Sequence, residues 1–164
     1  MITIRKGEIK DLRAIVEIYN EAVLHTTATF DTVTKTVEEQ RGWYDKHGGK
    51  YPILVAEEDK NVIGWASLSQ YSDRCAYADT AEASIYIQEG HKGKGLGRTL
   101  SDAILNAGKD AKMHTVILRI AEGNEASIKL AKSLGFKDVG TMKEVGKKFG
   151  KLLDVIIMQL IYED

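Results

Sequence analysis

Cysteine is almost missing from this chain: Cys75 stands alone among 164 residues. A single thiol cannot form an intrachain disulfide, so a reducing, cytoplasmic setting is expected. No histidine lies near Cys75 in sequence, so it is read as a bystander close to the substrate, not as a nucleophile. Proline also occurs once, as Pro52, at the entrance of a strand-like run where it does little harm. No apolar run approaches membrane-spanning length, and no apolar stretch of signal-peptide type follows Met1. A net charge of −1 argues against a nucleic-acid-binding surface. His25, His47, His91 and His114 show no metal-ligand spacing, so no metal is expected. There is no repeat, low-complexity tract or linker. One domain over residues 1–164 is therefore expected, with an ordinary composition of 43% hydrophobic and 29% charged residues.

Hydrophobic periodicity supplies the elements. Ile2 to Arg5 alternates as a strand. Ile9, Leu12, Ile15, Val16, Tyr19, Ala22 and Val23 form one helical face. Thr36-Val37-Glu38-Glu39 fits a capping box for a second helix to about His47. Ile53 to Glu57 and Val62 to Tyr71 read as a hairpin, and Ala81 to Gln88 as the next strand. Gly97 to Lys112 is helical. Thr115 to Ala121 is a β-branched run and reads as a buried strand. Asn124 to Leu134 is helical, with Gly135 as C-cap. Phe136 to Met142 and Leu152 to Tyr162 would be the last strands. The order β-α-α-β-β-β-α-β-α-β-β predicts an α/β fold: a mixed sheet with helices on both faces.

The stretch from Ile85 to Arg98 carries the chemistry. A strand runs into four glycines and then into a helix. Glycines let successive N–H groups converge, and a helix N-terminus adds its dipole. Such a turn seats phosphate oxygens, with Lys92, Lys94 and Arg98 as nearby cations. No Gly-Lys pair has the flanking glycine and hydroxyl of a P-loop. The dinucleotide fingerprint fails too, because its third glycine is Arg98.

The remaining pattern, Lys92-Gly93-Lys94-Gly95-Leu96-Gly97, resembles the pyrophosphate loop of the GNAT acetyltransferase superfamily. Lys92 stands where that superfamily has Gln or Arg. The resemblance implies a GNAT-like fold and acetyl-CoA as co-substrate. It extends to Asn124 through Leu134-Gly135-Phe136, which is similar to the superfamily's second signature. Asn124 is both a helix N-cap and a candidate contact to the pantetheine arm. Ala131 departs from the pattern, because an aromatic or His often stands there as the acid for the leaving thiolate. Ser133, a water, or unassisted departure of the thiolate would replace it.

A narrower resemblance covers most of the chain. Ile18 to Val23, Thr27 to Thr32, Trp43-Tyr44, Arg74 to Tyr77, Thr80 to Ile87 and Gly146 to Gly150 are similar to the phosphinothricin N-acetyltransferase group. That branch includes enzymes acting on methionine sulfoximine. Leu152 departs from it, where an aromatic is expected. The resemblance implies a homodimer, a small amine substrate and detoxification. It places Glu82 as general base. A carboxylate there can take the proton of an ammonium before it attacks a thioester; the alternative is a solvated Glu at a strand start. The backbone of Ile85, Tyr86 and Ile87 would lie along pantetheine, with an amide near Ile87 stabilising the oxyanion. Lys92 and Lys94 are either pyrophosphate contacts or solvated cations. Arg74 would hold a substrate carboxylate or phosphinate, Tyr77 would add a hydroxyl, and Phe30 would wall the pocket. Their alternatives are a surface cation and core aromatics. Trp43, Tyr44 and Trp65 read as core or interface. Two further functions stay open at this point: acetylation of a protein or peptide amine, and a non-catalytic acyl-CoA-binding module.

Overall fold

The computed structural model describes residues 1–163. The strands are β1 (Ile2–Lys6), β2 (Ile53–Glu58), β3 (Asn61–Gln70), β4 (Thr80–Ile87), β5 (Thr115–Ala121), β6 (Lys137–Lys148) and β7 (Lys151–Ile161). The helices are α1 (Leu12–His25), α2 (Val37–Asp45), α3 (Leu96–Asp110) and α4 (Glu125–Ser133). The sheet order is β1-β2-β3-β4-β5-β7-β6. Only β4 and β5 pair in parallel. The expected element order and mixed sheet are therefore observed.

Alternation along the strands sorts the side chains onto two faces. Ala66, Leu68, Ala81, Val116 and Ile120 pack against Leu96, Leu100 and Ile104 of α3. Gly64 allows α3 to sit close, since a Cβ there would meet Leu100 at 3.1 Å and the Tyr86 carbonyl at 3.2 Å. On the other face, Ile53, Val55 and Trp65 pack against Ile15 and Ile18 of α1, with Tyr86 beside them. Helices thus cover both faces.

Several boundaries differ from the sequence expectation. α1 begins at Leu12, because Ile9–Asp11 forms a separate 3-10 turn and Ile9 is exposed. Thr36 caps α2 by accepting from the Glu39 amide at 3.1 Å, which is the backbone half of the expected capping box. β6 runs to Lys148, well past Met142, because two register shifts absorb the residues that break its alternation.

One ion-pair cluster ties β1, β2 and the turn before α1 together. Arg5 donates to both carboxylate oxygens of Asp11, at 2.8 and 2.9 Å, and to Glu57 at 2.8 Å. Asp11 is 5% exposed, and the Arg5 guanidinium holds its carboxyl below the usual range. Replacing Arg5 by Ala would leave that carboxylate buried and unpaired, at a cost of about 3 kcal/mol. The contribution is present above the unfolded pKa of Asp11 and is lost as pH falls through its lowered folded value. Urea unfolding of Arg5→Ala at pH 7 and in acid should show the gap to the parent narrowing in acid.

Candidate active site

β4 and β5 pair at only three positions, Thr80 to Glu82 against Thr115 to Ile117. Beyond Glu82 the strands part. The edge of β4 from Ala83 to Ile87 then has no partner strand on that side, while its other edge stays bonded to β3. A cavity of about 700 Å³ fills the split. Its walls include β4 from Glu82 to Ile87, β5 from Leu118 to Ala121, and Asn124, Ser127 and Ala131 from the α4 region. The third wall is the stretch from Glu21 to Phe30, made of the end of α1 and the following loop.

The mouth of the cavity meets the start of α3, where Lys92 and Gly97 line it. Gly93 and Gly95 have φ of 81° and 77°, a region an L side chain adopts only under strain. This curl turns the chain from β4 into α3 and leaves the first N–H groups of that helix without intrahelical partners. Lys94 is exposed beside them. Gly93, Lys94, Gly95, Leu96 and Arg98 do not line the cavity itself. Arg98 instead donates to the Ser133 hydroxyl at 2.9 Å and pairs with Asp102 at 3.3 Å, tying α3 to α4. Ser133 in turn donates to the Leu130 carbonyl at 2.7 Å, so its hydroxyl is engaged away from the cavity. Asn124 caps α4, accepting from the Ser127 amide at 3.3 Å, and also faces the cavity.

Glu82 lies at the vertex of the split, with its side chain 29% exposed. Burial raises its pKa, and Arg119 partly opposes that. The Arg119 Nε is 3.4 Å from Glu82 Oε2. Arg119 was not foreseen. It is an isolated charge in a run that reads as a buried strand, and its partner is set by a pairing register the sequence does not disclose. Arg74 and Tyr77, in contrast, stand on the exposed turn between β3 and β4 and do not line the cavity. That irregular stretch has no periodicity from which a facing direction can be read. Tyr77 reaches the site only indirectly. Its ring packs on Tyr71 at 5.3 Å, and Tyr71 carries the Arg119 guanidinium at 5.7 Å.

Phe30 does line the cavity, and Gly146 makes room for it: a Cβ at residue 146 would overlap the Phe30 ring. Lys148, buried to 4% exposure, donates to the Thr29 carbonyl at 2.8 Å. Tyr19 binds Thr29 at 2.9 Å and also Asp31. Gly146 and Lys148 therefore hold the Thr29–Phe30 stretch of the cavity wall in place. Tyr86, whose hydroxyl burial pushes up to about 12, stays a neutral phenol there. Ala131 is buried and lines the cavity without an acidic hydrogen. Among the described residues no group of three or more His, Cys, Asp or Glu is placed to hold a metal.

A split parallel pair, an unpaired strand edge and a glycine turn at a helix N-terminus form a seat for a phosphorylated cofactor with an amide-bearing arm, and the chain's relatives make it an acetyl-CoA-dependent N-acetyltransferase. The acetyltransferase (GNAT) domain model matches residues 4–157, and the chain belongs to that family. It is 39% identical to the L-methionine sulfoximine/L-methionine sulfone acetyltransferase of Salmonella typhimurium, over 97% of this chain and 94% of that one. A phosphinothricin acetyltransferase from Sinorhizobium meliloti, solved in complex with acetyl-CoA, superposes with a TM-score of 0.94 at 34% identity. That match covers 98% of this chain and 88% of the other. A ribosomal-protein-alanine N-acetyltransferase from Brucella melitensis superposes with a TM-score of 0.94 at 36% identity, over 98% and 99% of the two chains. No helix is long and apolar enough to cross a membrane among the described residues.

Proposed function

We propose that this enzyme acetylates the primary amine of a small amino-acid-like substrate of the phosphinothricin or methionine sulfone type. The observation that carries this reading is the placement of Glu82 at the closed end of the split, beside a cation and facing the cavity. The free edge of β4 supplies N–H and C=O groups for the pantetheine arm, and the α3 N-terminus with Lys92 supplies the pyrophosphate seat. Glu82 takes a proton from the substrate ammonium, directly or through water. The amine nitrogen then bonds to the acetyl carbonyl carbon within a ternary complex. An amide near Ile87 stabilises the oxyanion. The carbon–sulfur bond breaks, the thiolate, with a pKa near ~8.5, leaves without an acid at Ala131, and the second proton shed by the nitrogen as the amide forms passes to water.

Phe30 walls the amine side. Tyr77 contributes at the rim through the Tyr71 stack, with Arg74 on the same exposed turn. The exposed apolar side chains of Phe149 and Leu152 at the β6–β7 turn mark the patch on which we place a second copy of the chain. The cell context fitting this reading is the cytoplasm, and the role is detoxification.

The likeness to a ribosomal-protein-alanine N-acetyltransferase supports one second reading, a peptide α-amine as acceptor. Thiol release from acetyl-CoA separates the two. The acceptors would be phosphinothricin, methionine sulfoximine, methionine sulfone, the common amino acids, polyamines and short peptides. Saturable turnover of a sulfoximine, sulfone or phosphinate is expected. Turnover of peptides alone would replace that substrate with a protein N-terminus.

A further inference from the structure

Ile117 of β5 pairs with Glu82 of β4, and Arg119 lies two residues further along. A period of two puts Arg119 on the same face as Glu82, as its diagonal neighbour. Its side chain is 48% exposed and lines the cavity. The Glu82 ion pair is the one polar contact of this guanidinium among the described residues, and it is made through Nε. A guanidinium carries five N–H donors in a planar fork. Neither Nη group makes a hydrogen bond to the protein among the described residues, so both are open to a ligand. The Tyr71 ring beneath the guanidinium holds its plane.

An α-amino acid bears its ammonium and carboxylate on one carbon. Standard bond lengths put the nitrogen and the carboxyl carbon roughly 2.5 Å apart. Glu82 and Arg119 present the complementary charges side by side, their nearest atoms 3.4 Å apart, so groups carried on one carbon can meet both. Resting on the substrate reading above, the geometry points to Arg119 as the anchor of the substrate α-carboxylate, with Glu82 receiving the ammonium. The zwitterion replaces one internal ion pair by two pairs to the ligand. Arg74 cannot take this place, because it lies outside the cavity on an exposed turn. A peptide acceptor lacks a carboxylate on the carbon that bears the reacting amine and leaves the fork unused. The enzyme so built selects free α-amino acids over amines and peptides.

The test uses the amino acid turned over fastest in the panel, with its methyl ester and its carboxamide. Arg119→Ala and Arg119→Gln are compared with the parent; the Gln variant retains an aliphatic stem to pack on Tyr71. Because Arg119 also touches Glu82, all three acceptors are expected to slow in both variants. The informative quantity is the ratio of kcat/KM for the acid to that for the ester. Charge-assisted hydrogen bonds of this kind correspond to about 10- to 100-fold. The ratio should fall by that factor in both variants, and Arg119→Lys should restore part of it. An unchanged ratio, even with all rates lowered, overturns the anchor and leaves the substrate reading standing. If the parent turns over no amino acid, both are overturned together.

Discussion

Glu82→Gln should lower kcat by about 10²- to 10⁴-fold, the usual contribution of a positioned general base. The amide keeps the size of the side chain and its contact with Arg119 is lost without a new charge being buried. Acetyl-CoA affinity, read by calorimetry, should change little, since the proposed cofactor seat lies along the β4 edge and at α3. The pH profile gives a second reading of the same group. Burial raises the Glu82 pKa, with Arg119 opposing it in part. The base works only as the carboxylate, so kcat/KM should fall as pH drops through a value above the ordinary carboxylate range. Glu82→Gln should lose that limb. Arg119→Gln should move it to higher pH, because the cation that favours the ionised form is gone. A kcat for Glu82→Gln within a few-fold of the parent would remove Glu82 from the chemistry and assign the proton to another acceptor, whereas no turnover by the parent with any amine would leave the acyl-CoA-binding module as the better account.

Gly146→Ala should be the most damaging single-methyl change in the molecule for the amine substrate. The added carbon would overlap the edge of the Phe30 ring at Cε2, so the ring must swing. Phe30 is half-buried and has somewhere to go, which limits the stability loss to about 1–2 kcal/mol. The ring, however, is part of the cavity wall. KM for the amine should rise about tenfold or more, a shift near 1.4 kcal/mol, with KM for acetyl-CoA little changed. Phe30→Ala in the same background should recover part of the loss. Steady-state kinetics with both substrates varied, together with thermal melts, test this. Equal rises in the two KM values would show a general disturbance of β6 and not a local one at Phe30.

Most of the scaffold could be read from periodicity because each element draws on neighbours in sequence. Thr115–Ala121 is delimited by its β-branched run, and Asn124 announces α4 by its capping chemistry. The glycine turn was equally legible, since backbone curvature needs particular residues at particular places. Side-chain direction in irregular chain was not. Arg74 and Tyr77 share a motif-like segment with the strand that bears Glu82, yet the turn carries them to the surface. Contacts set by pairing were also hidden. Lys148 and Thr29 lie 119 residues apart, and nothing local to either indicates that they bond. Arg119 belongs with these: it is a charge amid apolar neighbours, paired across a parallel register.

The split between β4 and β5 leaves an interrupted sheet inside the protein. Open strand edges are ordinarily a hazard, since another chain can add to them and start aggregation. Here the open edge is recessed between the end of α1 and the α4 region, where a folded neighbour's strand cannot follow. A slender arm carrying its own amides can. Under the proposed function the ligand would serve as a donor strand, completing the hydrogen-bond ladder that the polypeptide leaves unfinished. The amides of β4 between Ser84 and Ile87 that face the split should exchange with solvent readily in the free enzyme and become protected when CoA is added. The fold should melt higher in the same step.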